Sequence, residues 1–401
     1  MRPDPNRVRV SGPLADYAAD FAKQLRSRGY PPERAARHVQ LLAQLSRWME
    51  SEGLDAFDLS EKKVAAFLEA RRAKGYSEQP SLSFVMQLLG WVPGLSVAPA
   101  ESSALTPVES AIADYGRYLD KERALATGTI RGYLHVTRLF LAHQVAPDAN
   151  LDFSNVTAKA VIAFVVEESR RRSVGGSQVV VTAMRSFLRF LFLDGRIAQP
   201  LAQAVPAVSA PKGFLPRGLG EEVVGALLES CDAATVVGKR DLAILMLLSR
   251  LGLRAGEVAR LSLDDLDWHR GELVVRGKGS RQDRLPLPVD VGETLAAYLS
   301  SGRPKVQCRA VFLRIHAPIT AMSVSNVSEI VRRACIRAAV PEARAHRLRH
   351  SAATAMLRGG GSLVEIGQIL RQSHDVTTSI YAKVDRVALR ALARPWPGAV
   401  A

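Results

Sequence analysis

Two stretches rich in proline and glycine divide the 401-residue chain, and three blocks separate at them. The first is WVPGLSVAPAESS, residues 91–103, and the second is PLAQAVPAVSAPKGFLPRGLG, residues 200–220. Proline lacks the amide donor and keeps the residue before it out of the helical region, so neither stretch continues a helix. The blocks read as an N-terminal helical domain (1–95), a second helical domain (104–200), a linker (201–220) and a C-terminal domain (221–401). Each is long enough to bury a core of its own.

The first two blocks resemble one another at an offset of about 97 residues. His38-Val39 answers His135-Val136, Leu42 answers Leu139, and KVAAF from Lys63 answers AVIAF from Ala160. Ile112, Tyr115, Tyr118 and Leu119 share one helical face, as do Ile130, Leu134, Thr137 and Leu141. Thr106-Pro107-Val108-Glu109 has the form of a capping box with proline at the first helical position. Each block therefore predicts a bundle of about four helices, through shared architecture or through chance likeness between bundles.

The third block is mixed. Helices are expected over 221–229 and 239–249, and again from Val324 onward. Short strands are expected at ELVVR (272–276) and at 284–287, around the turn composition Gly277-Lys278-Gly279-Ser280, with VFLRI (311–315) as a further candidate. Gly359-Gly360-Gly361 reads as a helix stop, and Ser362 with Glu365 as a second capping box. The chain as a whole is mainly α, with a mixed α/β C-terminal domain.

Lys and Arg number 54 against 39 acids, a net charge of +15, and +10 of it falls in residues 211–401 among ordinary apolar segments. A basic folded domain points to a polyanion, most simply nucleic acid, although many basic proteins bind none. The longest apolar run, LAILMLL from Leu242, is far short of the roughly 20 residues of a membrane span. The polar start MRPDPNRVRV has no signal-like apolar segment, and Cys231, Cys308 and Cys335 form no disulfide or zinc pattern. The expectation is a cytoplasmic protein with no membrane partner.

Arg254 stands at a turn into a helix, His346-Arg347-Leu348-Arg349-His350 opens another, Lys278 sits at the proposed hairpin tip, and Tyr381 lies in TTSIYAK. Arginine's planar fork suits phosphate, and a tyrosine hydroxyl can act as a nucleophile beside a base or cations. Taken singly, each is more often a solvated charge or an amphipathic packing residue. The pair His346 and His350 has the spacing of a zinc-protease helix, but Arg347 stands where that motif needs its glutamate. The three glycines lack the Lys-Ser/Thr of a phosphate loop, and there is no nucleophile elbow for Ser-His-Asp hydrolysis. No metal or cofactor is expected.

Taken in order, four segments carry a resemblance: GLRAGEVARLSLDDLD (252–267), VRGKGSRQDRLPLP (275–288), HRLRHSAATAMLRGG (346–360) and IGQILRQSHDVTTSIYAKV (366–384). The third block resembles the catalytic domain of the tyrosine recombinases, the phage-integrase family. Residues 105–195 resemble the family's helical core-binding domain more loosely, and the tail IYAKVD with ARPWPG is similar to that of transposon-borne integrases.

The resemblance implies a site-specific recombinase of integrase or transposase type acting on double-stranded DNA as a homotetramer, with accessory or sister recombinases as further candidate partners. At the matching positions it implies that Tyr381 attacks a phosphodiester, leaving a 3′-phosphotyrosine and a free 5′-hydroxyl, without metal or ATP. Arg254 and Arg349 would clamp the nonbridging oxygens, Lys278 would protonate the leaving 5′-oxygen, and His346 would be the acid-base partner of the tyrosine. Glu257 and His350 match supporting positions. The family usually has Leu-Gly-His or a tryptophan where this chain has Leu370-Arg371-Gln372, with His374 two residues on. Gln372 can donate a hydrogen bond but cannot act as an acid. That departure is the basis of the alternative, a DNA-binding accessory homologue with weak catalysis; a topoisomerase is a third option.

Overall fold

Many helix starts are set by hydroxyl side chains that accept the first free amides. In the computed structural model, which describes residues 4–76, 78–98, 106–144, 153, 156–209, 218–277 and 282–371, Ser60, Ser81, Thr106, Thr157, Ser173, Thr235, Ser323 and Ser362 all cap in this way. The boxes at Thr106/Glu109 and Ser362/Glu365 both form reciprocally. The chain divides into two compact units, one drawn from 1–98 and 215–401, the other from 99–214.

Residues 18–89 supply α1 (Ala18–Ser27), α2 (Pro32–Ser51), α3 (Glu61–Ala73) and α4 (Leu82–Leu89). Their inward faces, with Phe21, Leu25, Val39, Leu45, Met49, Val64 and Leu88 among them, make one apolar core.

The other unit holds α5 (Pro107–Arg117), prolonged by a wider turn to Glu122, α6 (Thr127–Gln144), α7 (Ala158–Arg170) and α8 (Val174–Leu193). Its core is ring-rich. Tyr115, Phe187 and Phe190 contact one another at centroid distances of 5.1 to 6.5 Å, and Phe140 joins Phe164 at 5.2 Å. Leu201 and Val205, at the start of the proline-rich stretch, are buried in this core. Helices α3 and α7 start 97 residues apart, and the matched residues Val64/Val161 and Phe67/Phe164 are buried in both.

The remaining elements are α9 (Glu221–Glu229), α10 (Val236–Ser249), α11 (Ala255–Arg260), β1 (Leu266–Asp267), β2 (Glu272–Arg276), β3 (Gln282–Pro286), α12 (Val289–Ser301), α13 (Val324–Arg337), α14 (Ala345–Arg358) and α15 (Leu363–Ile369). Helix α10 is apolar nearly all round because it is central, touching α9, α11, α12, α13 and α14. The strands form an antiparallel sheet in the order β1-β2-β3, with Leu273 opposite Leu285. Leu273 and Val275 face the core while Glu272 and Arg276 point away. No helix among the described residues is long and apolar enough to cross a membrane.

The candidate strand at 311–315 is a correction. Val311 donates to Leu261 O, Leu313 to the Tyr298 hydroxyl and Arg314 to Thr320 O, so three successive partners belong to three different segments. A ladder needs one partner strand, and this segment makes only the isolated bridge Leu313–Ala321. Its buried apolar residues, Val311, Phe312 and Leu313, produced the strand-like pattern.

The helices of 18–89 pack against the loop after this segment. Ile319 N donates to Arg28 O at 2.8 Å, and the Ile319 side chain occupies the space a Cβ on Gly29 would need. Gly29 also has φ +78°, so both packing and backbone demand glycine. An open groove of about 870 Å³ runs beside this contact, lined by Tyr30, Arg34, Arg37, Arg71, Trp91 and Arg314.

The ring cluster generates a stability prediction. Phe187→Ala should destabilise the 99–214 unit by about 3–5 kcal/mol, whereas Leu193→Ala on the exposed end of the same helix should stay within about 0.5 kcal/mol. Denaturant unfolding of the two variants checks it; equal midpoints would mean the rings are not packed as described.

Candidate active site

Helix α10 ends at Ser249, and the chain must reverse before α11 can begin. Gly252 makes the turn with φ +58°, and a Cβ there would stand 2.6 Å from the Leu370 side chain. Arg254 follows as the residue capping α11. Its amide donates to Glu257 Oε2 at 2.8 Å and its Nη1 to Glu257 Oε1 at 2.7 Å. Half of the Arg254 side chain remains exposed while Glu257 is almost wholly enclosed (46% against 2%).

Glu257 has a second cation. Arg371 Nη2 donates to Glu257 Oε2 at 2.7 Å, with both side chains shut off from water. Burial alone would raise the Glu257 carboxyl, but the Arg254 amide and the charges of Arg371 and Arg254 outweigh it and hold the carboxyl below its ordinary value. The Arg371 carbonyl in turn accepts from Arg254 Nη2 at 3.4 Å.

Arg349 comes from the second turn of α14 and is 2% exposed. Its Nη1 donates to Gly252 O at 2.6 Å, and its Nη2 donates to Leu370 O. Both arginines singled out in the sequence are thus tied to the corner at 369–371, and the second is also tied to the turn that carries the first. On the same helix, His346 and His350 lie edge to face with centroids 4.3 Å apart. Loss of water, then the charges of Arg349 and Arg254, lowers the His346 pKa; loss of water, then His346 and Arg349, brings His350 down to about 4. Asp283 on β3 acts on the charge of Arg371, so the β2–β3 hairpin borders the site.

The structure therefore brings Arg254, Glu257, His346, Arg349 and His350 into one network. Lys278, Gln372, His374 and Tyr381 lie outside the described residues. Arg371 is the residue sequence reasoning passed over; its signal was a charged side chain at the glycine position of the Leu-Gly-His pattern. Among the described residues no group of three His, Cys, Asp or Glu is arranged to hold a metal ion. Chemically, the arrangement presents fixed guanidinium donors beside two neutral imidazoles, a setting for an oxyanion and for proton transfer.

Residues 217–387 match the phage integrase family. A putative integrase/recombinase of Sinorhizobium fredii, y4rA, is 38% identical over 393 residues, covering 96% of this chain and 95% of the relative. The chain belongs to the phage integrase family. It is a tyrosine recombinase, an enzyme of site-specific recombination. Tyrosine recombinase XerD of Listeria monocytogenes is 29% identical over 70% of this chain and 95% of its own. Among solved structures, the recombinase XerH bound to a palindromic difH substrate aligns over 98% of both chains with a TM-score of 0.56 at 16% identity. A lambda integrase dimer bound to a core site aligns over 73% of this chain and 98% of its own, with a TM-score of 0.54 at 17% identity. These two likenesses establish the mainly helical recombinase fold with its mixed α/β domain.

The lowered histidine values give the recombinase a defined acid response. Between 6.5 and about 4 the unfolded chain binds a proton at His350 that the folded chain does not. Stability is therefore complete above 6.5 and is lost as the pH falls through this window. Glu257 acts in a different range, because a depressed carboxyl costs stability only below its ordinary value of 4.5. Thermal midpoints measured from pH 7 to pH 4.5 should fall, and His350→Asn should flatten part of that fall. An unchanged slope in the variant would remove His350 as the cause.

Proposed function

We propose that this recombinase cuts and rejoins DNA strands by transesterification through Tyr381. The Tyr381 oxygen forms a bond to phosphorus, the bond to the 5′-oxygen breaks, and a 3′-phosphotyrosine holds the strand until a 5′-hydroxyl reverses the step. The tyrosine proton passes to His346, and Lys278 delivers one to the departing 5′-oxygen. Arg254 and Arg349 donate to the nonbridging oxygens, Glu257 and His350 support them, and Gln372 adds an amide donor in preference to His374. Guanidinium and ammonium groups supply the charge stabilisation, so the step is written without metal or ATP.

The observation that carries this reading is the frame shared by Arg254 and Arg349, in which the Gly252 turn and the 369–371 corner hold both arginines. A pair of guanidiniums fixed in one frame suits a phosphodiester passing through a more highly charged transition state. Double-stranded DNA containing a specific site is the partner. One relative in fold is a lambda integrase tetramer on a Holliday junction, which supports assembly of this chain as a homotetramer. Residues 104–200 and 221–401 each bind the duplex mostly through phosphate contacts, and 1–95 adds DNA affinity or protein contacts, a role that the arginines along its groove favour.

The test is covalent capture. The protein is incubated with nicked duplexes carrying a randomised segment and then denatured, and the DNA that stays on the chain is sequenced. Wild type should retain a defined site, and Tyr381→Phe should retain none while binding the recovered duplex within about twofold, since only the attacking oxygen is lost. A persistent adduct in that variant would refute the assignment of the nucleophile.

Lys278 has its own signature. Lys278→Ala should slow adduct formation sharply on an ordinary duplex. A 5′-bridging phosphorothiolate has a leaving group that needs no proton, so on that substrate the variant should recover. Failure to recover would place Lys278 in phosphate binding instead of acid catalysis.

A further inference from the structure

Arg371 occupies a place that most side chains would avoid. Its backbone is left-handed, with φ +54°, a conformation glycine takes freely and a residue with a Cβ does not. It is also almost fully buried, where an unpaired guanidinium is unfavourable. The contacts that offset both costs lead into the active site. Nη2 meets Glu257 Oε2 at 2.7 Å, Nη1 donates to Ile369 O at 2.9 Å, and the carbonyl accepts from Arg254 Nη2.

Charge counting shows what this side chain adds. Glu257 with Arg254 alone is a neutral pair, and its carboxylate would draw on the cation needed for phosphate. Within the whole site, Arg254 and Arg349 balance Glu257 and Asp283, and Arg371 adds the one net positive charge, enclosed on one side and open at the half-exposed Arg254. Geometry works in the same direction. The corner that Arg371 fixes also offers Leu370 O to Arg349.

Resting on the transesterification reading above, we infer that Arg371 is a positioning residue of this recombinase. It satisfies Glu257 from the buried side and so frees Arg254 for the phosphate, while it pins the corner from which both arginines are held. Arg371 touches no substrate; it acts through Glu257 and the 369–371 backbone.

The experiment compares wild type with Arg371→Met, Arg371→Gly and Arg371→Lys on the duplex recovered by covalent capture, at saturating protein. Arg371→Met removes the charge and keeps bulk. Arg371→Gly removes the charge and suits the left-handed backbone, so it remains informative if the Met variant fails to fold, as thermal melting would show. Noncovalent binding should stay within about threefold of wild type in every folded variant. Adduct formation should slow by roughly ten- to a hundredfold in the Met and Gly variants, the scale of a hydrogen bond to a charged group. Arg371→Lys should recover part of the rate, because it restores the cation without the planar fork. Wild-type rates in the Met or Gly variant, or a Lys variant as slow as Met, would overturn the inference. A wild type that captures no DNA would instead refute the transesterification reading, and this inference with it.

Discussion

Glu257 is a carboxylate with almost no water around it, and the geometry of the site follows from how that charge is satisfied. A buried ion without partners costs several kcal/mol even after the surroundings relax, so the fold must bring cations to it. It brings two, Arg254 from the start of α11 and Arg371 from the corner after α15, and adds the Arg254 amide. Each bond fixes something else. The amide bond sets where α11 begins, the Arg254 pair sets where that guanidinium points, and the Arg371 pair sets the path of the chain just before Gln372.

The apolar frame makes this placement reproducible. Helix α10 is enclosed by five other helices and leads directly to the turn at Gly252, so that turn inherits the rigidity of the core. Gly252 admits Leu370 where a Cβ would collide, and its carbonyl receives Arg349 from α14. Leu370 is itself fully buried in a small cluster with Ala353 and Ile366. Hydrophobic packing brings α14 and α15 together, and the polar bonds then select one geometry from those that packing would allow. Fixed donors of this kind need no reorganisation as charge develops, which is where most of their catalytic value lies.

Local signals proved readable and long-range ones less so. The capping boxes at Thr106 and Ser362, the strand at 272–276 and the helical faces around Tyr115 all depend on neighbours within a few residues, and each stands where its pattern put it. The segment at 311–315 misled because burial without a partner strand has the same apolar pattern as a strand. Arg371 was invisible for a related reason: an arginine next to an unusual glutamine looks like a surface charge until a carboxylate 114 residues away is seen to meet it. The ordered motifs singled out Arg254 and Arg349, but not their common anchorage, since it runs through the backbone carbonyls of Gly252, Leu370 and Arg371, which leave no mark on residue identity.

The distribution of charge argues that the site's potential is built locally. Several bases of 211–401 are engaged in internal pairs: Arg276 with Asp265, Arg309 with Asp264, Arg332 and Arg333 with Glu329, and Arg240 and Arg337 with Asp241. The exposed pairs among these contribute little to stability and are screened by salt. The Asp241 and Glu329 clusters also set two guanidiniums against one carboxylate, and the Glu257 cluster differs in its place, beside Arg349 and the histidines of α14. Three guanidiniums, Arg254, Arg349 and Arg371, stand there against the carboxylates of Glu257 and Asp283, and the buried members are shielded from counterions, so the net charge persists at ionic strengths that flatten the surface field. Overall basicity can draw a polyanion toward the chain. In the proposed reaction the phosphate meets the chemistry where charges have been fixed out of the water beside the histidines of α14, between the Gly252 turn and the corner at Arg371.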